Sequence, residues 1–163
     1  MFKKLMCLMA VLVLVTACDT TGSDEGAGGA GGMGGHGTGG GVARPGTQED
    51  LVVNVGDRVF FEFNQSDLSE EARATLDRQA AWLKKYSSID VTIEGHCDER
   101  GTREYNLALG DRRAEAAKNY LVADGVSASR IKTISYGKER PAVLGSNEAA
   151  WAQNRRGVTV VTP

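Results

Sequence analysis

Thirteen of the chain's 21 glycines lie between Gly22 and Gly46, in a sequence of 163 residues. Glycine loses more conformational freedom on ordering than any other residue, and the run from Gly28 to Gly41 has almost nothing apolar to bury. The tract therefore divides the chain. Residues 1–17 are a short apolar head, residues 18–47 a disordered tether that opens on Cys18, and residues 48–163 the globular part. About 28 flexible residues have an r.m.s. span of roughly 30 Å and reach on the order of 90 Å when fully extended. His36 stands alone in glycine, with no second metal ligand near it. The rest of the chain has ordinary globular composition, and a net charge of −2 argues against nucleic-acid binding through a basic surface.

Lys3 and Lys4 precede an unbroken apolar run from Leu5 to Val15. That is the pattern of a secretory signal peptide, and about 11 apolar residues are too few to cross ~30 Å of hydrocarbon as a helix. Val15-Thr16-Ala17-Cys18 resembles the bacterial lipobox. The resemblance implies cleavage before Cys18, a diacyl group on its sulfur and a palmitate-type acyl group on its amine. Two or three acyl chains anchor stably where one holds only marginally. Cys7 then leaves with the leader and Cys18 carries lipid. Cys97 alone remains, so the domain folds without an intramolecular disulfide.

Beyond the tether, residues 58–63 alternate and read as a strand. Ser69 is a candidate cap for a helix through Tyr86, with Ala72, Leu76, Ala80 and Leu83 at helical spacing. Ile89, Val91 and Ile93 alternate in a second strand, and Gly95 to Gly101 form a polar loop. Thr102 opens a helix to about Ala123, closed by Asp124-Gly125. A third strand over 130–136, a loop to Ser146, a helix over 147–155 and a last strand over 157–161 complete the chain. Strands joined through helices give an α/β sandwich with helices covering a sheet. Strand order, and the direction of the last strand, stay open.

On the second long helix the apolar stripe runs through Tyr105, Leu109, Ala116 or Ala117, and Tyr120 or Leu121. Steps of four from Leu109 place Arg113 on the core-facing edge, where a guanidinium needs a partner. Asp98 and Glu99 stand in the loop before that helix. From the residues alone two readings remain. One is a structural Arg113–Asp98 ion pair, or a snorkelling arginine. The other is a small site complementary to a zwitterion, with Arg113 taking a carboxylate and Asp98 an ammonium. His96, Cys97 and Asp98 are too close in sequence to share a metal comfortably and lack a zinc spacing. Cys97 reads as a small half-buried thiol rather than a nucleophile. Glu94, Asp98 and Glu99 make a weak acid pair for a hydrolase, and the Gly95–Gly101 loop lacks a phosphate-binding pattern.

Gly95-His-Cys-Asp-Glu-Arg-Gly-Thr102, Glu104 to Ala114, Ser135 to Ala142 and Asn154-Arg-Arg156 resemble the peptidoglycan-binding signature of OmpA C-terminal-like domains, over about residues 52–161. Within that family they most resemble the peptidoglycan-associated lipoproteins of the Tol–Pal system, which share the order of lipobox, tether and domain. The resemblance implies a β/α/β/α/β fold with helices packed on one mixed four-stranded sheet. It implies no enzymatic activity, no cofactor and no metal, and a ligand in the meso-diaminopimelate of peptidoglycan stem peptides, whose free end is a zwitterion. By position, Asp98 matches the group that holds the ammonium and Arg113 the group that holds the carboxylate. Leu109 matches an apolar wall, and Phe63 with Asn64 the rim. Asn64 stands where many such sequences have Asp, and Cys97 where a small Ala or Thr is common. The resemblance further implies anchorage in the outer membrane of a Gram-negative bacterium with the domain in the periplasm, TolB and other Tol components as partners, and a part in envelope constriction at cell division. Asp19 resembles an inner-membrane retention signal of enteric bacteria; the outer membrane is nonetheless the expected site, where a wall-gripping domain is useful. The alternative is a generic wall-anchoring lipoprotein with no Tol role.

Overall fold

The computed structural model describes residues 43–162. The expected signal peptide, the expected lipidation site Cys18 and most of the glycine tract lie outside the described residues. A turn of helix, α1 (Gln48–Asp50), runs into a π-helical turn over Leu51–Val55. There follow β1 (Arg58–Phe60), α2 (Glu70–Lys85), β2 (Asp90–His96), α3 (Arg103–Ala123), β3 (Ile131–Gly137), α4 (Glu148–Asn154) and β4 (Arg156–Thr162). No helix among the described residues is long and apolar enough to cross a membrane.

The helices start where the sequence places their caps. Ser69 Oγ accepts the Ala72 N–H at 3.1 Å, and Thr102 Oγ1 accepts the Tyr105 N–H at 3.2 Å. Each satisfies a backbone donor that the first helical turn leaves free. Glu70 and Glu71 sit in the first turn of α2, and Lys84 and Lys85 in its last, complementing the helix dipole at both ends. Beyond that helix, Arg130 donates to the carbonyls of Leu83, Tyr86 and Ile89.

The sheet order is β1-β4-β2-β3. β4 is antiparallel to both β1 and β2, and β2 is parallel to β3. A parallel neighbour needs a crossover, and α3 supplies it, packing on β2 and β3. Val91 and Ile93 are fully buried in a core with Leu51, Leu76, Leu83, Ala117 and Leu121. The buried amide of Gln79 joins α2 to the sheet, donating to Gly56 O at 2.7 Å and accepting from Thr159 Oγ1 at 2.8 Å.

Three sequence readings change. The first strand ends at Phe60 rather than at residue 63, because side chains, not a neighbouring strand, take the next carbonyls: Arg155 that of Phe61 and Arg113 that of Glu62. Asn64 then turns the chain with φ at +59°, a conformation that Asn tolerates. Tyr105 is 44% exposed and leaves the core stripe, which runs through Leu109, Arg113, Ala117 and Leu121. Cys97 is buried rather than half-buried, and burial pushes its thiol pKa up, as in an inert core cysteine.

Two positions invite measurement. A Cβ on Gly95 would lie 1.9 Å from the Gly110 carbonyl oxygen, so β2 and α3 touch backbone to backbone. On Gly157, which pairs with Gly95 across the sheet, a Cβ would meet nothing nearer than 3.5 Å. Gly95→Ala is expected to destabilise the domain by roughly 1–3 kcal/mol or more, and Gly157→Ala to be near neutral, in denaturant titrations. His96 is 1% exposed and neither ring nitrogen has a hydrogen-bond partner. Burial first, then the charges of Arg156 and Arg140, lower its pKa to about 4, although Glu94 Oε2 lies 3.4 Å from Nε2. An imidazole depressed from about 6.5 must be neutral to fold, so stability is complete above the unfolded value and is lost as pH falls toward 4. The wild-type domain is expected to lose roughly 2 kcal/mol between pH 7 and pH 5 through this residue. His96→Leu should flatten that part of the stability–pH curve.

Candidate functional site

The C-terminal end of β2, the loop after it and the first half of α3 face the turn that follows β1. Between them lies a cavity of about 380 Å³ lined by Phe63, Asn64, Asp98, Leu109 and Arg113, together with Cys97, Arg100, Gly101, Tyr105 and Asn106. All five pocket residues named from the sequence thus meet in one place.

Arg113 is 0% exposed. Its Nε donates to Gln65 O at 2.8 Å, Nη1 to His96 O at 2.8 Å and Nη2 to Glu62 O at 3.0 Å. The face of Phe61 lies 5.1 Å from the guanidinium carbon. Three carbonyl dipoles replace the carboxylate that a buried cation ordinarily requires. Burial lowers its pKa from the usual value, while the neighbouring Cys97 and Asp98 oppose that shift. An arginine stays protonated in such surroundings, so the cavity has a fixed positive wall.

The direct Arg113–Asp98 ion pair, one of the two readings open from sequence, is not what forms. Asp98, only 4% exposed, is held by Arg100, whose Nη2 lies 2.6 Å from Oδ2, and by Arg155, whose Nη1 lies 3.4 Å from the same oxygen. Burial on its own would raise the carboxyl pKa; the hydrogen bonds and charge of Arg100, with the bond from Arg155, outweigh it and hold the group below the ordinary carboxylate value. Arg155 also donates to Phe61 O and lies 2.8 Å from Glu148, which ties the carboxylate to the segment just after β1 and to α4.

The walls follow from the same elements. Leu109, one helical turn before Arg113, is buried and apolar. Phe63 is 55% exposed at the mouth, where its ring faces the Arg100 guanidinium. The Tyr105 hydroxyl, on the exposed side of α3, donates to Asn64 Oδ1. Asn106 donates to Arg100 O and Thr102 O, fixing the loop over the helix start. The Cys97 thiol points to Asn106 O at 3.3 Å and is thereby occupied. Among the described residues no group of three His, Cys, Asp or Glu side chains could hold a metal ion.

Sequence reasoning did not single out Arg100, Tyr105 or Trp151 for this site. Arg100 reads as one more charge in a polar loop, and Trp151 as part of a short helix. Their meeting depends on α4 returning to the loop after β2, which no periodicity encodes. Arg100, Tyr105 and Arg155 carried only a weak signal, as parts of the segments that carry the family resemblance.

The OmpA family model matches residues 60–155. The peptidoglycan-associated lipoprotein of Rhizobium meliloti is 58% identical over 125 residues, covering 77% of this chain and 71% of the relative. That of Pseudomonas aeruginosa is 42% identical over 159 residues, covering 95% of this chain and 94% of the relative. These relatives are named for association with peptidoglycan, not for a reaction. Among solved structures, the peptidoglycan-associated lipoprotein from Burkholderia pseudomallei matches with a TM-score of 0.64 and 42% identity, over 65% of this chain and 90% of that one. The C-terminal domain of Helicobacter pylori MotB, at 18% identity and a TM-score of 0.62 over 66% of this chain and 84% of its own, shares the fold alone. The chain therefore belongs to the OmpA family, among the peptidoglycan-associated lipoproteins.

Proposed function

We propose that this chain is a non-enzymatic tether that binds peptidoglycan non-covalently through the meso-diaminopimelate of its stem peptides. The observation that carries the reading is one cavity that joins a fixed buried cation, Arg113, to a buried carboxylate, Asp98. The free end of meso-diaminopimelate presents the complementary pair, a carboxylate for Arg113 and an ammonium for Asp98. Leu109 packs on the methylene chain between them, and Phe63 and Asn64 close the rim. Opposite charges at both ends fix the ligand's direction, and the desolvated walls strengthen each contact relative to bulk water. The relatives' names support the ligand class.

Around that core reading stand its finer parts. Acylated Cys18 holds the chain in the outer membrane of a Gram-negative cell, the glycine tether spans part of the periplasm, and the Tol system, through TolB, moves the anchor during envelope constriction. Lipobox, tether and wall-binding domain in series support this arrangement.

Asp98→Asn keeps the side chain's size and removes its charge. Its retention on purified sacculi is expected to fall about tenfold or more, while the melting curve shows a folded domain. Wild-type retention by the folded variant overturns the site. Arg113→Ala is a poorer probe, since it orphans three carbonyls inside the domain; it is expected to destabilise by about 3 kcal/mol or more in chemical denaturation. The Tol clause has its own test. Crosslinking in living cells is expected to co-purify TolB, and its absence would return the chain to a generic wall anchor.

A further inference from the structure

Asp98 already holds a cation from its own chain. Arg100 donates Nη2–H to Oδ2 at 2.6 Å and Nε–H to Oδ1 at 3.2 Å, and its backbone N–H reaches Oδ1 at 3.1 Å. Its guanidinium is stacked between two rings, with the carbon 4.0 Å from the centroid of Phe63 and 4.0 Å from that of Trp151. Glu148 lies 3.7 Å from Nη1. Trp151 is itself fixed by donating Nε1–H to Glu99 at 3.0 Å. Two aromatic faces and a carboxylate therefore hold one long, partly exposed side chain across the mouth of the cavity.

We propose that Arg100 is a specificity-determining residue that competes from within the chain for the carboxylate of Asp98, so that a ligand ammonium binds by displacing it. The inference rests on the reading of the cavity as a diaminopimelate site. Both Asp98 oxygens accept from Arg100, and Oδ2 also from Arg155, so a buried carboxylate with this many donors has little capacity for one more cation. Ammonium binding is then an exchange of one cation for another, so it yields less than binding to a free carboxylate would. The other end of the ligand, where a carboxylate meets Arg113, makes up the difference. A stem peptide ending in a zwitterion satisfies both ends, whereas one with a lysine ammonium satisfies only the exchange. Phe63 and Trp151 set how tightly the competitor is held, because the stack is lost when Arg100 leaves.

The test is calorimetric titration of the full chain, in detergent micelles, with a meso-diaminopimelate tripeptide and with its lysine counterpart. Arg100→Gln is expected to bind the diaminopimelate peptide about three- to tenfold tighter than wild type, on the scale of one partly exposed ion pair with its ring contacts. Binding of the lysine peptide, negligible on wild type, is expected to become measurable. Trp151→Ala loosens the competitor without touching Asp98 and is expected to tighten binding by a smaller factor. The double variant should gain no more than Arg100→Gln. A residue that merely braced the loop would weaken binding when removed, so equal or weaker binding by Arg100→Gln overturns the proposal while leaving the site reading intact. If neither wild type nor variant binds the diaminopimelate peptide, the site reading falls and this inference falls with it.

Discussion

A guanidinium with no exposed surface and three backbone carbonyls around it organises this domain. Arg113 projects from α3 and takes the carbonyls of Glu62 and Gln65, in the turn after β1, and of His96, at the end of β2. Helix, turn and strand are thus joined at one cation. The turn can leave the sheet early because its carbonyls are satisfied by a side chain rather than by a neighbouring strand. The cavity exists because that departure opens space between the turn and the helix. Structure and candidate site therefore share a residue, and the positive wall of the pocket is as rigid as the fold.

Arginine plays this part elsewhere in the domain. Arg130 collects the carbonyls at the end of α2, and Arg155 ties Phe61 O to Asp98 and Glu148. A planar fork with several donors suits irregular backbone, where carbonyls point in different directions and a lysine would meet only one of them. Arg100 differs in holding a side chain instead of backbone, and in lying partly in solvent. That contrast sets Arg100 apart from Arg113, Arg130 and Arg155, which hold backbone inside the domain.

Much of the architecture was legible in the chain. Ser69 and Thr102 marked helix starts through local cap chemistry, and Val91 and Ile93 marked the buried face of β2 through alternation, because such signals need only near neighbours. Arg113 was legible as a misfit, a charge on an apolar stripe. Its actual partners were not, since Glu62 O and Gln65 O are some fifty positions away and carbonyls carry no sequence signature. Tyr105 was assigned to the core by spacing alone, yet it is exposed and finds Asn64 instead. Strand order was equally hidden, because β4 enters between β1 and β2 from the far end of the chain. From residue types a site for a zwitterion was one of two open readings for Arg113 and Asp98; the stacking of Arg100 on Trp151 emerged only when α4 was placed beside the loop.

The attachment of residue 48 to the sheet has a mechanical consequence. Gln48 donates to Thr159 O and accepts from the Val161 N–H, so the segment that follows the glycine tract is fastened to the C-terminal half of β4. Arg155, beside the cavity, immediately precedes that strand. Four to six residues at ~3.4 Å each place Thr159 and Val161 about 14–20 Å from Arg155 along an interior strand. A pull on the chain before Gln48 therefore enters at one end of β4, while resistance at the pocket acts near the other. The load runs lengthwise through a strand bonded on both sides, where many bonds must shear together, rather than peeling an edge open one bond at a time.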